Sequence, residues 1–239
     1  MKKSIVAVFT ILIVSLMLMV GCREGGLVGS GNTVTKTFDY DNFISLDVHH
    51  GFYVDVTKSD EFSVEIIIDD NLLEYLEVDK SGSTLKIRLQ QPPEYRSVTL
   101  EANITMPDIS KLDLSGGSHT NIAGFDLSHD LTIELSEGSH LDGNISATAV
   151  DLDVSGGSHL ELAGSADNLV VVGSGGSHLT MDSFAANDAT VKIIGGSEAT
   201  INVNGTLDVE VSGGSRVVYD GEPAIGDVNL SGGSTFQKK

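Results

Sequence analysis

Leu152-Asp153-Val154-Ser155-Gly156-Gly157-Ser158-His159-Leu160-Glu161-Leu162 is the stretch on which the fold is read. Apolar Leu152 and Val154 bracket Asp153 before the glycine pair, and Leu160 and Leu162 alternate with His159 and Glu161 after it. Alternation with a period of two on both sides of a Gly-Gly step describes two short strands joined by a bend. Glycine reaches backbone angles that a Cβ would forbid, and the flanking serines can satisfy local amides.

The corner recurs. Ser-Gly-Gly-Ser starts at Ser115, Ser155, Ser174, Ser212 and Ser231, with degenerate copies at Ser136-Glu137-Gly138-Ser139 and Ile194-Gly195-Gly196-Ser197. The second glycines fall at 117, 138, 157, 176, 196, 214 and 233, so the steps are 21, 19, 19, 20, 18 and 19 residues. Leu112 and Leu114, Ile133 and Leu135, Val209 and Val211, and Val228 and Leu230 repeat the leading alternation. A unit of this length cannot bury its apolar face alone, so it must stack on its neighbours. Separate two-stranded hairpins would not require the same side chain at the same place in every repeat. The expectation is therefore all-β: a right-handed parallel β-solenoid of about seven short rungs, about 4.8 Å apart, with a period near 19 residues. The absence of Trp and an aromatic share of 5% suit its narrow interior.

Residues 34–110 lack the motif yet remain strand-rich, at Phe43–Val48, Phe52–Val56, Phe62–Ile68, Leu85–Leu89 and Val98–Met106. His49-His50-Gly51 reads as a degenerate corner, Asp70–Leu76 as a helical turn or two, and Pro92-Pro93 as a loop. This region is expected to cover the N-terminal end of the stack, where bare strand edges would invite aggregation. The organisation is then 1–21 leader, 22–33 tether, 34–110 N-terminal β region and 111–239 repeat solenoid, the last two forming one continuous domain.

Met1-Lys2-Lys3 precedes an apolar run from Ile5 to Val20, broken only by Thr10 and Ser15. A basic start, an apolar stretch and small residues describe an export signal. Met19-Val20-Gly21-Cys22 resembles the lipobox of bacterial lipoproteins, in which cleavage precedes a cysteine that carries acyl chains. Cys22 is the sole cysteine of the chain, which excludes a disulfide framework and a Cys-rich zinc site. The alternative is an uncleaved membrane anchor. Both place 34–239 outside the cytoplasm, at the cell surface or in the periplasm, tethered to the membrane. Four glycines among the eleven residues Arg23–Thr33 make a flexible leash. With 14 Lys+Arg against 34 Asp+Glu the formal charge is -20, which disfavours nucleic acid and acidic phospholipid as partners.

Phe43 to Val56, Asn71–Leu76 leading to Thr84-Leu85-Lys86-Ile87, Ile104-Thr105-Met106-Pro107, the repeated corners and Val218-Tyr219-Asp220-Gly221-Glu222-Pro223 together resemble the auto-transporter adhesin "head GIN" domain family, across residues 37–236. That resemblance implies an all-β solenoid-like fold in an envelope protein. It supplies no catalytic residues.

Three constellations are candidates for chemistry. His119, His140, His159 and His178, followed by Glu198, Arg216 and Thr235, occupy the same place after successive corners. In a solenoid they form an outward column of imidazoles, and neighbouring rings could tilt onto Zn²⁺, Ni²⁺ or Cu²⁺. The plainer reading is a surface residue copied with the repeat, its rings stacked. Asp113, Glu134 and Asp153, continued by Val172, Lys192, Glu210 and Asn229, form a second outward column. Carboxylates in register suggest calcium, but no β-roll nonapeptide or EF-hand loop is present, so a solvated face is expected. Asp113, Ser115, Ser118 and His119 offer triad chemistry, but the same residue types recur along an open face without a nucleophile elbow.

The function expected is a non-enzymatic, envelope-anchored lipoprotein, an adhesin-like or structural module needing no cofactor, that contacts a surface polymer or an envelope protein. The alternatives are a divalent-metal-binding lipoprotein using the histidine column and a carbohydrate-active β-helix enzyme. Self-association through the C-terminal solenoid edge is a further expectation.

Overall fold

The computed structural model describes residues 26–90 and 94–239; the leader, Cys22 and Pro92-Pro93 lie outside the described residues. Strand makes up 65% of the structure and helix 3%, wound into a β-solenoid of about six turns. The seven corners read from the motif enclose six steps, and His50-Gly51 adds a further corner ahead of them.

Each turn contributes a leading strand, the corner and a trailing strand. The leading strands pair in parallel through Leu46, Leu112, Ile133, Leu152, Val171, Val191, Val209 and Val228, which lie over one another. The trailing strands do the same through Tyr53, His119, His140, His159, His178, Glu198, Arg216 and Thr235. Alternate residues of both face inward, and the buried apolar core runs from Phe43 to Val217. Because strand side chains alternate between faces, a register slip of one residue would turn this core into solvent. The in-register columns hold the parallel stack in place.

The two corner glycines serve different purposes. Both sit at positive φ, 66° at Gly175 and 79° at Gly176, and the pattern recurs down the stack. A Cβ on the first would press on the backbone of the corner before it, at 2.8 Å from His50 N for Gly116 and 3.1 Å from Gly156 N for Gly175. A Cβ on Gly117 or Gly176 would meet nothing within 4 Å. Where it is glycine, the first place therefore permits close stacking as well as the turn, and the second only the turn; one corner takes Glu137 at the first place, at φ 56°.

Ser118, Ser139, Ser158, Ser177 and Ser197 are fully buried behind the corners. Their hydroxyls and that of Ser215 donate to the carbonyl three residues back at 2.6–2.9 Å. A buried hydroxyl needs such a partner, and here it also ties the corner shut. Ser197 Oγ in addition accepts from Ser177 N at 3.1 Å, linking one corner to the next.

The N-terminal residues complete the stack. His50 and Gly51, at φ 69° and 75°, form the first corner, and its strands Ser45–Val48 and Tyr53–Lys58 pair in parallel with Lys111–Leu114 and His119–Ala123. Beyond them the chain closes the end with antiparallel strands. Thr33–Phe38 pairs with Ser63–Asp69, which pairs with Leu100–Met106, and Leu76–Ser81 pairs with Thr84–Leu89. A 3₁₀ turn, Asp70–Tyr75, buries Leu72 against this cover. The Asp69 carboxylate, 1% exposed, accepts from Gly31 N and Thr99 N, both at 2.7 Å, and ties the turn leading into Thr33–Phe38 to the cover. The strand-rich N-terminal region thus covers one end, as expected from the sequence.

Candidate functional site

The trailing strands put His119, His140, His159 and His178 side by side on the outer face. Successive ring centroids lie 5.4, 5.0 and 5.5 Å apart, with interplanar angles of 23°, 7° and 17°. Tyr53 stacks on His119 at 4.8 Å and 12°, heading the column. Counting two residues on from Gly51, as His119 is counted from Gly117, would have found it. Glu198 and Arg216 continue the column: Glu198 lies 3.9 Å from His178 Nε2 and 3.9 Å from Arg216 Nη1.

Stacked rings cover one another's faces and leave their edges to solvent. His140 Nε2 meets Asp142 Oδ2 at 3.3 Å. Burial, then the neighbouring His140, pulls His119 below the ordinary imidazole range, with Asp142 opposing. His159 is lowered by burial and then by His140 and His178. Bringing two of these rings onto one ion would require rotating them out of the stack. Among the described residues no three His, Cys, Asp or Glu side chains converge as a metal-binding set.

Two residues after each ring, Asn121, Asp142, Glu161 and Thr180 form a second outward column in register with the first. The strands then bend, with register shifts between Ala123 and Phe125 and between Glu161 and Gly164. The bend leaves a groove of about 510 Å³ along the axis, walled by Asn121, Asp142, Asn144, Glu161, Thr180 and Asp182. Depressions of about 210 Å³ beside Tyr53 and His119 and about 260 Å³ beside His178 and Arg216 share residues with it and extend it along the column. Polar acceptors at the rung spacing line this strip, beside a rigid edge of imidazoles. Alternation placed the histidines outward, but nothing in a linear pattern marks the concavity.

The acidic column lies on the leading strands, and register extends it by one. Asp47, Asp113, Glu134 and Asp153 are successive partners. Cations answer it: Lys111 Nζ is 2.8 Å from Glu134 and 3.7 Å from Asp113, and Lys86 Nζ is 3.2 Å from Asp47. Burial, then Glu134, pushes the Asp113 carboxyl above its ordinary range, while its pairing with Glu134 raises Lys111.

Ser115 lies apart from the trailing histidines. Its hydroxyl meets His49 Nδ1, and His49 Nε2 meets the Asp47 carboxylate, so an Asp-His-Ser chain spans the first two rungs. Ser118 is committed to the Ser115 carbonyl at 2.8 Å. Ser115 is 7% exposed, and the cleft that Asp47 lines with Ser45, Ser81, Lys86, Lys111 and Asp113 does not include it. The chain ties rungs together without presenting a nucleophile.

Comparison with known proteins follows this architecture. A structure of a putative adhesin from Bacteroides fragilis superposes with a TM-score of 0.84 at 19% identity, covering 90% of this chain and 100% of the other. A putative adhesin from Parabacteroides distasonis gives 0.74 at 16% identity, covering 89% and 99%. A putative lipid binding protein from the same species gives 0.64 at 19%, covering 89% and 99%. At these identities the likeness establishes the fold. No curated protein matches the chain. The family model described as "Putative auto-transporter adhesin, head GIN domain" matches residues 42–223, from the first rung to the last full turn, and the chain belongs to that family.

Proposed function

We propose that the chain is a non-enzymatic, adhesin-like binding module held at the cell envelope by lipid at Cys22. Its contact surface is the strip formed by the imidazole column and the adjoining groove. The observation carrying this reading is that Tyr53, four histidines and the column Asn121, Asp142, Glu161 and Thr180 share one face in register, with the groove alongside. Identical weak contacts repeated along an axis add when the partner is itself a repeating polymer. An acceptor-rich strip favours a partner with hydroxyl or amine donors, such as an envelope polysaccharide. Family membership supports an exposed location, and the relatives named as adhesins support the binding role.

The test is binding of residues 23–239 to an array of glycans and envelope polymers. The pair Asp142→Lys and Glu161→Lys should abolish binding, whereas Asp151→Lys and Asp153→Lys on the leading face should leave it intact. The reading fails if the wild type binds none of them, or if the two pairs behave alike. Anchoring is tested separately: Cys22→Ser should move the protein from the membrane to the soluble fraction, and retention in the membrane would indicate an uncleaved anchor.

A further inference from the structure

The two ends of the solenoid differ. At the N-terminal end antiparallel strands turn the sheets aside, and the outermost, Thr33–Phe38 and Leu76–Ser81, carry Lys36, Glu77, Asp79 and Lys80. Charges on an edge strand discourage pairing with another chain. At the other end of the described residues the last parallel strands carry no such cover. Ala224–Leu230 pairs with Thr206–Val211, and Thr235–Lys238 with Arg216–Asp220, and among the strand pairs described neither has a partner on its outer edge.

The side chains show the consequence. Ile225, Val228 and Leu230 continue inward columns whose previous members, Leu207, Val209 and Val211, are 0%, 3% and 0% exposed, yet they are themselves 43%, 38% and 48% exposed. Among the described residues seven large apolar side chains are exposed, and these three share one strand. Beside them Phe236 stacks on Tyr219 at 4.9 Å. A solenoid end needs either a polar cap or a partner.

We propose that this end is closed by the same end of a second copy, in a two-fold dimer. The partner must offer two free strand edges about 10 Å apart and an apolar patch between them, and the end itself offers both. The capped end does not, so association closes at two copies and cannot propagate as a filament. Charge also selects this face. The chain carries -20 overall, but residues 216–239 hold Arg216, Lys238 and Lys239 against Asp220, Glu222 and Asp227, and are neutral. A like-charged copy can approach here without the repulsion that the acidic flanks impose. A two-fold axis parallel to the strands lays 224–230 of one copy along 235–238 of the other and sets Asp227 toward the partner's lysines, which within each copy already pair with Glu222 at 2.7 Å and Asp182 at 2.8 Å. The alternative axis sets lysines against lysines, which is unfavourable across a strand pair. A footprint of about 23 Å by about 20 Å buries roughly 900 Å² in total, the low end for a specific interface, so the dimer is reversible.

Sedimentation velocity on residues 23–239, which contain every described core residue, should show a monomer–dimer equilibrium between about 1 μM and about 200 μM, with no larger species. Ile225→Lys or Val228→Lys should give monomer throughout that range. Val170→Lys, at a residue 41% exposed on the side of the coil, should dimerise like the wild type. Backbone amides of 224–230 and 235–238 in the wild type should exchange more slowly at the higher concentration, a reading that does not depend on the variants folding. A wild type that stays monomeric, species that grow beyond two, or a dimer that survives Val228→Lys would each overturn the proposal.

Discussion

Exchanging one methyl group between the two glycines of a single corner tests the stacking geometry. Gly116 and Gly117 have similar φ values, 64° and 73°. Alanine at either pays the left-handed penalty of about 1–2 kcal/mol. Each also gains about 0.4–1 kcal/mol from a less flexible unfolded chain. Both terms cancel when the two variants are compared. What remains is the new Cβ, 2.8 Å from His50 N at residue 116 and in open space at residue 117. The neighbour at 116 is backbone within a stacked corner, so relief requires moving a rung. Such overpacking costs about 1–3 kcal/mol. Gly117→Ala should therefore lose about 0–1.6 kcal/mol, and Gly116→Ala about 1–3 kcal/mol more. Urea denaturation followed by circular dichroism on the two variants and the wild type measures the difference. Equal midpoints would mean that successive corners do not press on one another, and the account of the first glycine would fall.

The serine ladder makes a second prediction. Ser118→Ala removes one donated bond, whereas Ser197→Ala removes a donor to Ile194 O and an acceptor from Ser177 N. The losses should be about 1 kcal/mol and about 2–3 kcal/mol respectively, read from the same denaturation curves. Acidification should weaken the histidine face. His119 and His159 are lowered in the folded state, so the unfolded chain takes up protons first, and stability present above pH 6.5 is lost as pH falls below it. Asp142 and Glu161 oppose this only in part, and replacing both histidines by Gln should flatten the melting temperature between about pH 7 and pH 5. His129 should behave oppositely. The Asp130 carbonyl, then the Asp108 carboxylate at 2.8 Å, raises it, so its contribution is full below pH 6.5 and disappears as pH rises through the raised value. His129→Gln should therefore lower the melting temperature at pH 5.5 and leave it unchanged near pH 8.5, the shift at low pH being small for so exposed a pair.

Much of the architecture was readable because its causes are local and periodic. Alternation assigned Leu152, Val154, Leu160 and Leu162 inward and His159 and Glu161 outward, and these positions are respectively buried and exposed. The spacing of the corners located the rungs, since glycine pairs at positive φ are the feature a sequence states most openly. The histidine and carboxylate columns followed from the same counting. Their surroundings did not. Lys111 and Lys86 offset the carboxylates from other rungs, and Tyr53 and Asp47 extend both columns from a region without the motif.

The chain's period, the sidedness of each strand and the need for neighbours were thus settled by residue order alone, because a strand's alternation and a corner's glycines act within a few residues. Which rung lies on which was decided only in three dimensions. His49 reaches Ser115 across 66 positions, since the 52 residues between the first rung's trailing strand and the next leading strand are spent on the cover. The groove exists because adjacent turns bend at different residues. The exposure of Ile225, Val228 and Leu230 likewise follows from stacking, because the inward side chains of a rung are covered by neighbours in space and not by neighbours in sequence.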